Sequence, residues 1–197
     1  MNAAAVYGLL SQGVIVAAAV RAARLLRGRA PASPRAIETL VPLLAVTLVP
    51  IDGVSVAGHL RGLWGDPSVV SLGVLVLFLW RPSATPAWPH RHVCGLLTLL
   101  VTLPLYFTLF VPVPMVTWDL YALGLQPWPV LAAIAVSALV MRRAGGGPWT
   151  ALVGLALLAW AAGLMESDNL WDYLVDPGLL LAIASAGFTG ICTSLQR

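Results

Sequence analysis

The densest run of polar residues in the sequence is Glu166–Tyr173, which holds three carboxylates and a serine. If this run forms helical turns, Asp168 and Asp172 stand four residues apart and share one face. Two like charges so placed repel each other unless a cation or an arginine lies between them, and carboxylate oxygens suit Ca²⁺ or Mg²⁺. Glu166, Asp168 and Asp172 are therefore the candidate ligands of a metal ion. The favoured interpretation is a solvated and capped loop without a metal, and pairing of one acid with Arg61 is a further alternative.

Four acidic residues are candidates for catalysis at the outer boundary of a membrane: Asp52, Asp119, Glu166 and Asp168. Asp52 follows Pro50 and precedes Gly53, and an ionisable group beside a helix break within a span is a functional candidate. If the span instead ends at Pro50, Asp52 lies in water. Ser167 would need a histidine base, and His59 is the histidine expected on its side. Such a set would suit a divalent-cation-dependent hydrolase or transferase acting on a lipid or lipid-linked substrate.

The remaining histidines and cysteines do not indicate a cofactor. His90, His92 and Cys94 stand at every second position, but this spacing is a weak metal signal without a second cluster of ligands. A basic loop facing anionic headgroups is the better interpretation of that segment. Haem is disfavoured because no predicted span has a histidine in its interior. No cofactor is therefore expected, with Ca²⁺ or Mg²⁺ at the acidic run as the alternative.

Two Asp-Pro pairs, Asp66-Pro67 and Asp176-Pro177, each precede an apolar run. Aspartate at a helix N-cap accepts hydrogen bonds from the first amides, and proline suits the next position because its ring presets φ. We therefore expect Asp66 and Asp176 to cap helices. The recurrence of an aromatic residue, Asp-Pro and an apolar run fits one N-terminal helix followed by three related hairpins, or chance, since the matches are short.

The composition is that of a membrane protein. Hydrophobic residues make up 59% of the chain and charged residues 10%, with a mean hydropathy of +0.90, whereas soluble domains are about a quarter charged. A helix needs roughly 20 residues to cross a hydrocarbon core. The sequence predicts an all-α integral membrane protein with a single domain, residues 1–197. Its seven predicted transmembrane helices are 3–22, 36–58, 66–80, 93–114, 127–141, 148–165 and 177–195.

Threading these seven helices separates the charges. Ten of the eleven basic residues fall on one side of the membrane and seven of the eight acids on the other. The positive-inside rule makes the basic side cytoplasmic, so the N-terminus is expected outside and the C-terminus inside, with Arg61 as the exterior exception. The arginines from Arg21 to Arg29 follow the first apolar run instead of preceding it. This order favours a retained anchor over a signal peptide.

Topology alone does not assign an activity, because seven-helix proteins include receptors, hydrolases and transporters. None of the five clearest spans carries a charge near its middle, which argues against an ion-coupled pump. The leading hypothesis is a multi-pass protein of the cell inner (cytoplasmic) membrane. It would be a non-enzymatic accessory subunit or small-solute-handling protein with an acidic exterior working face. The alternative is the divalent-cation-dependent hydrolase or transferase that acts on a lipid or lipid-linked substrate. The expected partners are the lipid bilayer and other membrane subunits, and no nucleic acid is expected.

Overall fold

Helices dominate the computed structural model, which describes residues 2–27, 41–43, 45–47, 49–80, 121–125, 127–143 and 147–179. Of these residues 79% are helical. The helices are α1 (Ala3–Leu26), α2 (Val56–Trp64), α3 (Val69–Trp80), α4 (Pro127–Arg143), α5 (Gly147–Ala161) and α6 (Leu170–Leu174), with a 3-10 helix at Ala122–Leu125. Shorter helical stretches lie at 41–43, 45–47 and 177–179. One antiparallel pair of strands joins β1 (Pro50–Ile51) to β2 (Val54–Ser55).

Within the described ranges, α1 is the helix that is long and apolar enough to cross a membrane, a test that signal sequences and buried core helices also meet. Asn2 begins it, because the Asn2 side chain accepts a hydrogen bond from the Ala5 amide at 2.9 Å. The helix has 24 residues, about 36 Å at 1.5 Å per residue. It continues beyond the predicted span 3–22, since alanine and leucine favour helix. Arg21 and Arg24 therefore lie in its last turns and not in a loop.

The predicted spans 66–80, 127–141 and 148–165 correspond to α3, α4 and α5. These helices have 12, 17 and 15 residues, fewer than the roughly 20 that a straight crossing needs. The predicted span 93–114 lies outside the described residues, as does 177–195 beyond residue 179. The expectation that the chain is mostly helical is confirmed. The number of helices that cross a membrane stays a prediction.

The predicted span 36–58 is not one continuous helix. A β-hairpin follows its helical residues, and Asp52 and Gly53 form the hairpin tip with φ angles of 50° and 82°. Asp-Gly favours this two-residue turn because both central positions need positive φ. Pro50 has no amide to continue the preceding helix. Helix α2 then starts at Val56 behind the Ser55 side chain, which caps it.

Helices α1 and α3 pack side by side and run in the same direction. Near their starts, the Tyr7 hydroxyl donates a hydrogen bond to the Pro67 carbonyl at 2.7 Å. Further along, Ala17 of α1 and Leu79 of α3 belong to one buried cluster. The chain must therefore return between the two helices, as it would if both cross a membrane in the same sense.

Helix α5 runs antiparallel to α3. The middle of α3 meets the first half of α5, because a Cβ atom added at Gly73 would touch the Leu152 side chain. The start of α3 shares the main core with the second half of α5, at Val69 and Ala159. This core is built of the buried residues Tyr7, Val69, Val70, Val130, Ala156, Ala159, Met165, Leu170, Tyr173, Leu174, Val175 and Leu179.

Arginines lie at the last turns of the helices that begin beside this core. Arg24 stands in the last turn of α1, and Arg142 and Arg143 stand in the last turn of α4. The Arg21 guanidinium lies 5.6 Å from the ring centre of Phe78, a distance at which a cation is attracted to an aromatic face. The basic residues of α1 and α4 thus lie at the opposite end of each helix from the residues that join the core.

Candidate functional site

An open cleft of about 250 Å³ lies at the end of the packed helices where α1 and α3 begin. Its walls come from the loop before α3, the loop after α5, helix α6 and the residues that follow α6. The lining residues are Asp66, Met165, Glu166, Ser167, Asp172, Val175, Asp176 and Pro177. Four carboxylates from two distant segments of the chain, Asp66 from one and Glu166, Asp172 and Asp176 from the other, therefore surround one opening.

Arg61 joins two of these carboxylates. Its Nε donates to Asp66 Oδ1 at 2.7 Å and its Nη2 to Asp66 Oδ2 at 2.9 Å, which is the strong forked geometry. The same Nη2 lies 3.0 Å from Glu166 Oε1. The hydrogen bonds to Asp66 and Glu166 raise the pKa of Arg61 above its usual value, so the guanidinium stays charged. Arg61 thus contacts one acid of the 166–173 run, Glu166, as in one of the alternatives without a metal, but its forked contact is to Asp66, which was expected to be a helix cap.

Helix α1 admits this ion pair because it has glycine at position 8. A Cβ atom there would stand 2.6 Å from Asp66 Oδ1 and 2.8 Å from Arg61 Cδ. One turn further along α1, the Gln12 side chain donates to the Gly65 carbonyl and accepts from Trp64 Nε1, both at 2.8 Å. Gly8 and Gln12 thus hold the segment between α2 and α3 against α1.

The two predicted caps have different outcomes. Asp66 does not cap α3, since Arg61 binds both of its oxygens and Ser68 Oγ instead accepts from the Ser71 amide at 3.1 Å. Asp176 is a cap, because its Oδ1 accepts from the Leu179 amide at 2.8 Å. Its Oδ2 also accepts from the Ser68 amide at 2.7 Å. Asp176 thereby links the beginnings of two helical segments.

Asp172 is held by hydroxyl groups. The Tyr121 hydroxyl lies 3.0 Å from Asp172 Oδ1 and 2.9 Å from Oδ2, and the Ser167 hydroxyl donates to Oδ2. Burial, and then the bond to Asp172, raise the pKa of Tyr121 to about 12, so the phenol is a neutral donor. Tyr121 was not among the residues predicted from the sequence. The available signal for it was the similarity between Trp118–Tyr121 and Trp171–Leu174, which both begin with Trp-Asp. The first segment supplies the tyrosine of the contact and the second supplies the aspartate.

The predicted helical face that would join Asp168 to Asp172 does not form. Helix α6 begins only at Leu170, because the Asn169 side chain accepts from the Trp171 amide at 3.0 Å and caps it. Buried Asn169 also donates to the Tyr121 carbonyl at 3.0 Å. Asp168 therefore precedes the helix; its side chain is exposed and does not line the cleft.

The other candidate residues lie apart from the cleft or outside the described ranges. Asp52 is exposed at the hairpin tip, which follows the helical residues 45–47, and the end of a membrane span near Pro50 stays a prediction. Asp119 falls outside the described residues. A ring nitrogen of His59 lies 3.0 Å from the Ile51 carbonyl, while Ser167 bonds to Asp172, so the structure does not pair that serine with His59.

No three or more His, Cys, Asp or Glu side chains in the described ranges form a group suited to a metal ion. The Ca²⁺ or Mg²⁺ site expected at Glu166, Asp168 and Asp172 stays a prediction. Of these three residues, the cleft lining includes Glu166 and Asp172.

The carboxylates of the cleft are held in fixed positions by donors of the chain. Each oxygen of Asp66, Asp172 and Asp176 accepts a hydrogen bond from the chain itself. The Glu166 side chain is 65% exposed and stands at the rim, so it is the carboxylate most open to an incoming group. A cationic or hydrogen-bond-donating partner would be attracted to this surface.

The chain matches no protein-family model, no curated protein and no solved structure. Its function must therefore be argued from the cleft and from the arrangement of the helices.

Proposed function

We propose that this chain is a multi-pass cytoplasmic-membrane protein that acts, without catalysis, as an accessory subunit or small-solute-handling protein through its acidic cleft. One observation carries the binding role: donors of the chain hold both oxygens of Asp66, Asp172 and Asp176, so these three carboxylates keep fixed positions around the cleft. Carboxylates held in this way provide a fixed negative surface.

The directions of the helices support membrane insertion with an exterior N-terminus. In the seven-span topology, the first and third spans cross outside to inside and the sixth crosses back. Parallel α1 and α3 with antiparallel α5 fit that order. The acidic cleft at one end and the arginines at the last turns of α1 and α4 fit the positive-inside rule.

The enzyme alternative has less support. It requires Asp52, Asp119, Glu166 and Asp168 to converge on one cavity, because paired acids or a shared metal must reach the same substrate atoms. Glu166 lines the cleft, Asp52 and Asp168 do not, and Asp119 lies outside the described residues. No contact among the described residues favours a hydrolytic centre at these positions.

Native mass spectrometry of the gently extracted protein tests the proposal, because it detects partner chains, solutes, lipids and metals together. We expect wild-type protein to retain a partner chain or an organic solute. Glu166→Gln should reduce its occupancy at least several-fold, since it removes the exposed charge at the cleft rim. Asp168→Asn is the matched control, being an exposed acid of the same loop that does not line the cleft. It should retain the bound species.

Two outcomes would contradict the proposal. Stoichiometric Ca²⁺ or Mg²⁺ that is lost equally in Glu166→Gln and Asp168→Asn would support the cation-dependent enzyme instead. A wild-type protein that carries neither partner chain nor solute would argue against any binding role for the cleft.

A further inference from the structure

The β-hairpin and α2 carry a cluster of exposed apolar side chains. We name residues 49–64, with both features, the hairpin–helix element. Five of its large apolar residues are between 46% and 74% exposed: Val49, Ile51, Val54, Leu63 and Trp64. Several exposed large apolar residues within one short element can mark a site of contact with another molecule or a membrane.

Helix α2 within this element has two different faces. Ala57 and Arg61 stand four residues apart on the side toward α1, where Ala57 is fully buried and Arg61 lies beside Gly8. A second stripe at helical spacing is apolar and only partly covered, at Val56, Leu60 and Leu63. The exposed residues His59 and Gly62 lie between these stripes. The helix is therefore amphipathic, with an apolar stripe that the described residues leave partly uncovered.

The hairpin limits where this apolar surface can lie. Among the described residues its sheet has two strands, so no further strand of that part of the chain pairs with either outer edge. A ring nitrogen of His59 lies 3.0 Å from the Ile51 carbonyl. Hydrocarbon does not tolerate open strand edges, since their amides and carbonyls would have no partners there. Bulk water would leave the apolar side chains exposed. The interface between headgroups and acyl chains can meet both needs, because it offers water to the backbone and lipid to the side chains.

We infer that the hairpin–helix element lies in the membrane interface, with Leu63 and Trp64 turned toward lipid. The inference rests on the proposed membrane location of the chain and adds a lipid-contacting surface to it. It also explains why the predicted span 36–58 is interrupted: residues 50–64 would lie along the membrane surface and not cross it.

Lipid fits this surface better than a protein partner does. The indole nitrogen of Trp64 already donates to Gln12, so the exposed part of the ring offers apolar contact, as tryptophans do at membrane interfaces. Arg61 turns away from the surface to bind Asp66. The element also packs against α1, the described helix that is long and apolar enough to cross a membrane, which would place the element beside lipid.

Nitroxide accessibility in lipid nanodiscs tests the inference. In a background of Cys94→Ser and Cys192→Ser, a spin label is attached at Leu63→Cys or at the adjacent Gly62→Cys. Gly62 is a suitable control, because a Cβ atom there meets nothing within 4 Å. We expect the ratio of oxygen to water-soluble nickel accessibility to be several-fold higher at position 63 than at position 62, because oxygen concentrates in lipid.

Equal nickel access at both positions would place the element in water and overturn the inference. An immobile label at position 63 that neither reagent reaches would show that protein covers the stripe, and would also overturn it. Carbonate extraction of cell membranes that contain the same variants separates this failure from failure of the proposed function. If the protein resists extraction but position 63 is accessible to nickel, only the inference is contradicted. If carbonate extracts the protein, the proposed membrane location is contradicted.

Discussion

The Asp172 carboxylate receives hydroxyl donors from both Tyr121 and Ser167, so it offers a direct test of the cleft network. Tyr121→Phe removes a donor to a charged acceptor while keeping the ring. We expect it to lower the free energy of unfolding by about 1.5–3 kcal/mol, as hydrogen bonds to charged groups do. Detergent-micelle denaturation followed by tryptophan fluorescence would measure this change.

The control for that measurement is Ser137→Ala. Ser137 is exposed on α4 and its hydroxyl bonds only to the Ala133 carbonyl of the same helix. Its effect should stay within about 0.5 kcal/mol, as is usual at exposed positions. Equal losses in the two variants would mean that the Tyr121–Asp172 contact adds nothing specific to stability.

The same tyrosine predicts a dependence of stability on pH. Burial and then Asp172 raise the pKa of Tyr121 from its usual 10 to about 12. Because the folded pKa lies above the unfolded one, the stabilisation is complete below about pH 10 and is lost as pH rises through about 12. The stability difference between wild type and Tyr121→Phe should therefore shrink across this interval. A constant difference from pH 9 to about 12 would contradict the raised pKa.

Sequence-based prediction was partly right for Arg61. Because Arg61 was the single basic residue expected on the exterior side, its pairing with an acid there was an alternative, but neither Glu166 nor Asp66 was named as the partner. Asp66 was misjudged because Ser68, two residues later, competes for the same capping position. The Tyr121–Asp172 contact joins residues 51 positions apart, and no local pattern specifies such a pair.

At the scale of secondary-structure elements, Gly8 should be irreplaceable although it lies within a helix. Helix propensity alone predicts that Gly8→Ala stabilises by about 1 kcal/mol. The added Cβ atom would instead collide with Arg61 and Asp66, so we expect net destabilisation and a weakened α1–α2 contact. Thermal unfolding in micelles would measure it.

Gly154→Ala is the matched control for that substitution. Gly154 lies inside α5, and a Cβ atom there meets nothing within 4 Å. This variant should stabilise by up to about 1 kcal/mol. Stabilisation by both substitutions would show that the ion pair adjusts easily and does not need glycine at position 8.

The elements themselves were partly predictable. Apolar composition located α1, α3, α4 and α5 to within a few residues. The hairpin was missed because its strands have two residues each, too few to show alternation, and Pro50 beside Asp52-Gly53 was also compatible with a helix break in a span. A tight turn of this kind is decided by backbone φ, which the apolar pattern does not reveal.

For the whole molecule, reporter fusions test the direction in which the chain crosses the membrane. Fusions after Arg29, Pro86, Gly146 and Arg197 should be active with a cytoplasmic reporter, because the basic segments are expected inside. Fusions after Gly65 and Gly124 should be active with a periplasmic reporter. A periplasmic signal at any of the first four sites would contradict the seven-span topology.

The bond from the Ser68 amide to Asp176 spans 108 residues of sequence. During synthesis at about 5–20 residues per second, the acceptor follows the donor by roughly 5–20 s. For that interval the start of α3 lacks one of its final hydrogen bonds. A chain truncated before Asp176 never forms this bond, so we expect proteases to degrade it faster than the full chain.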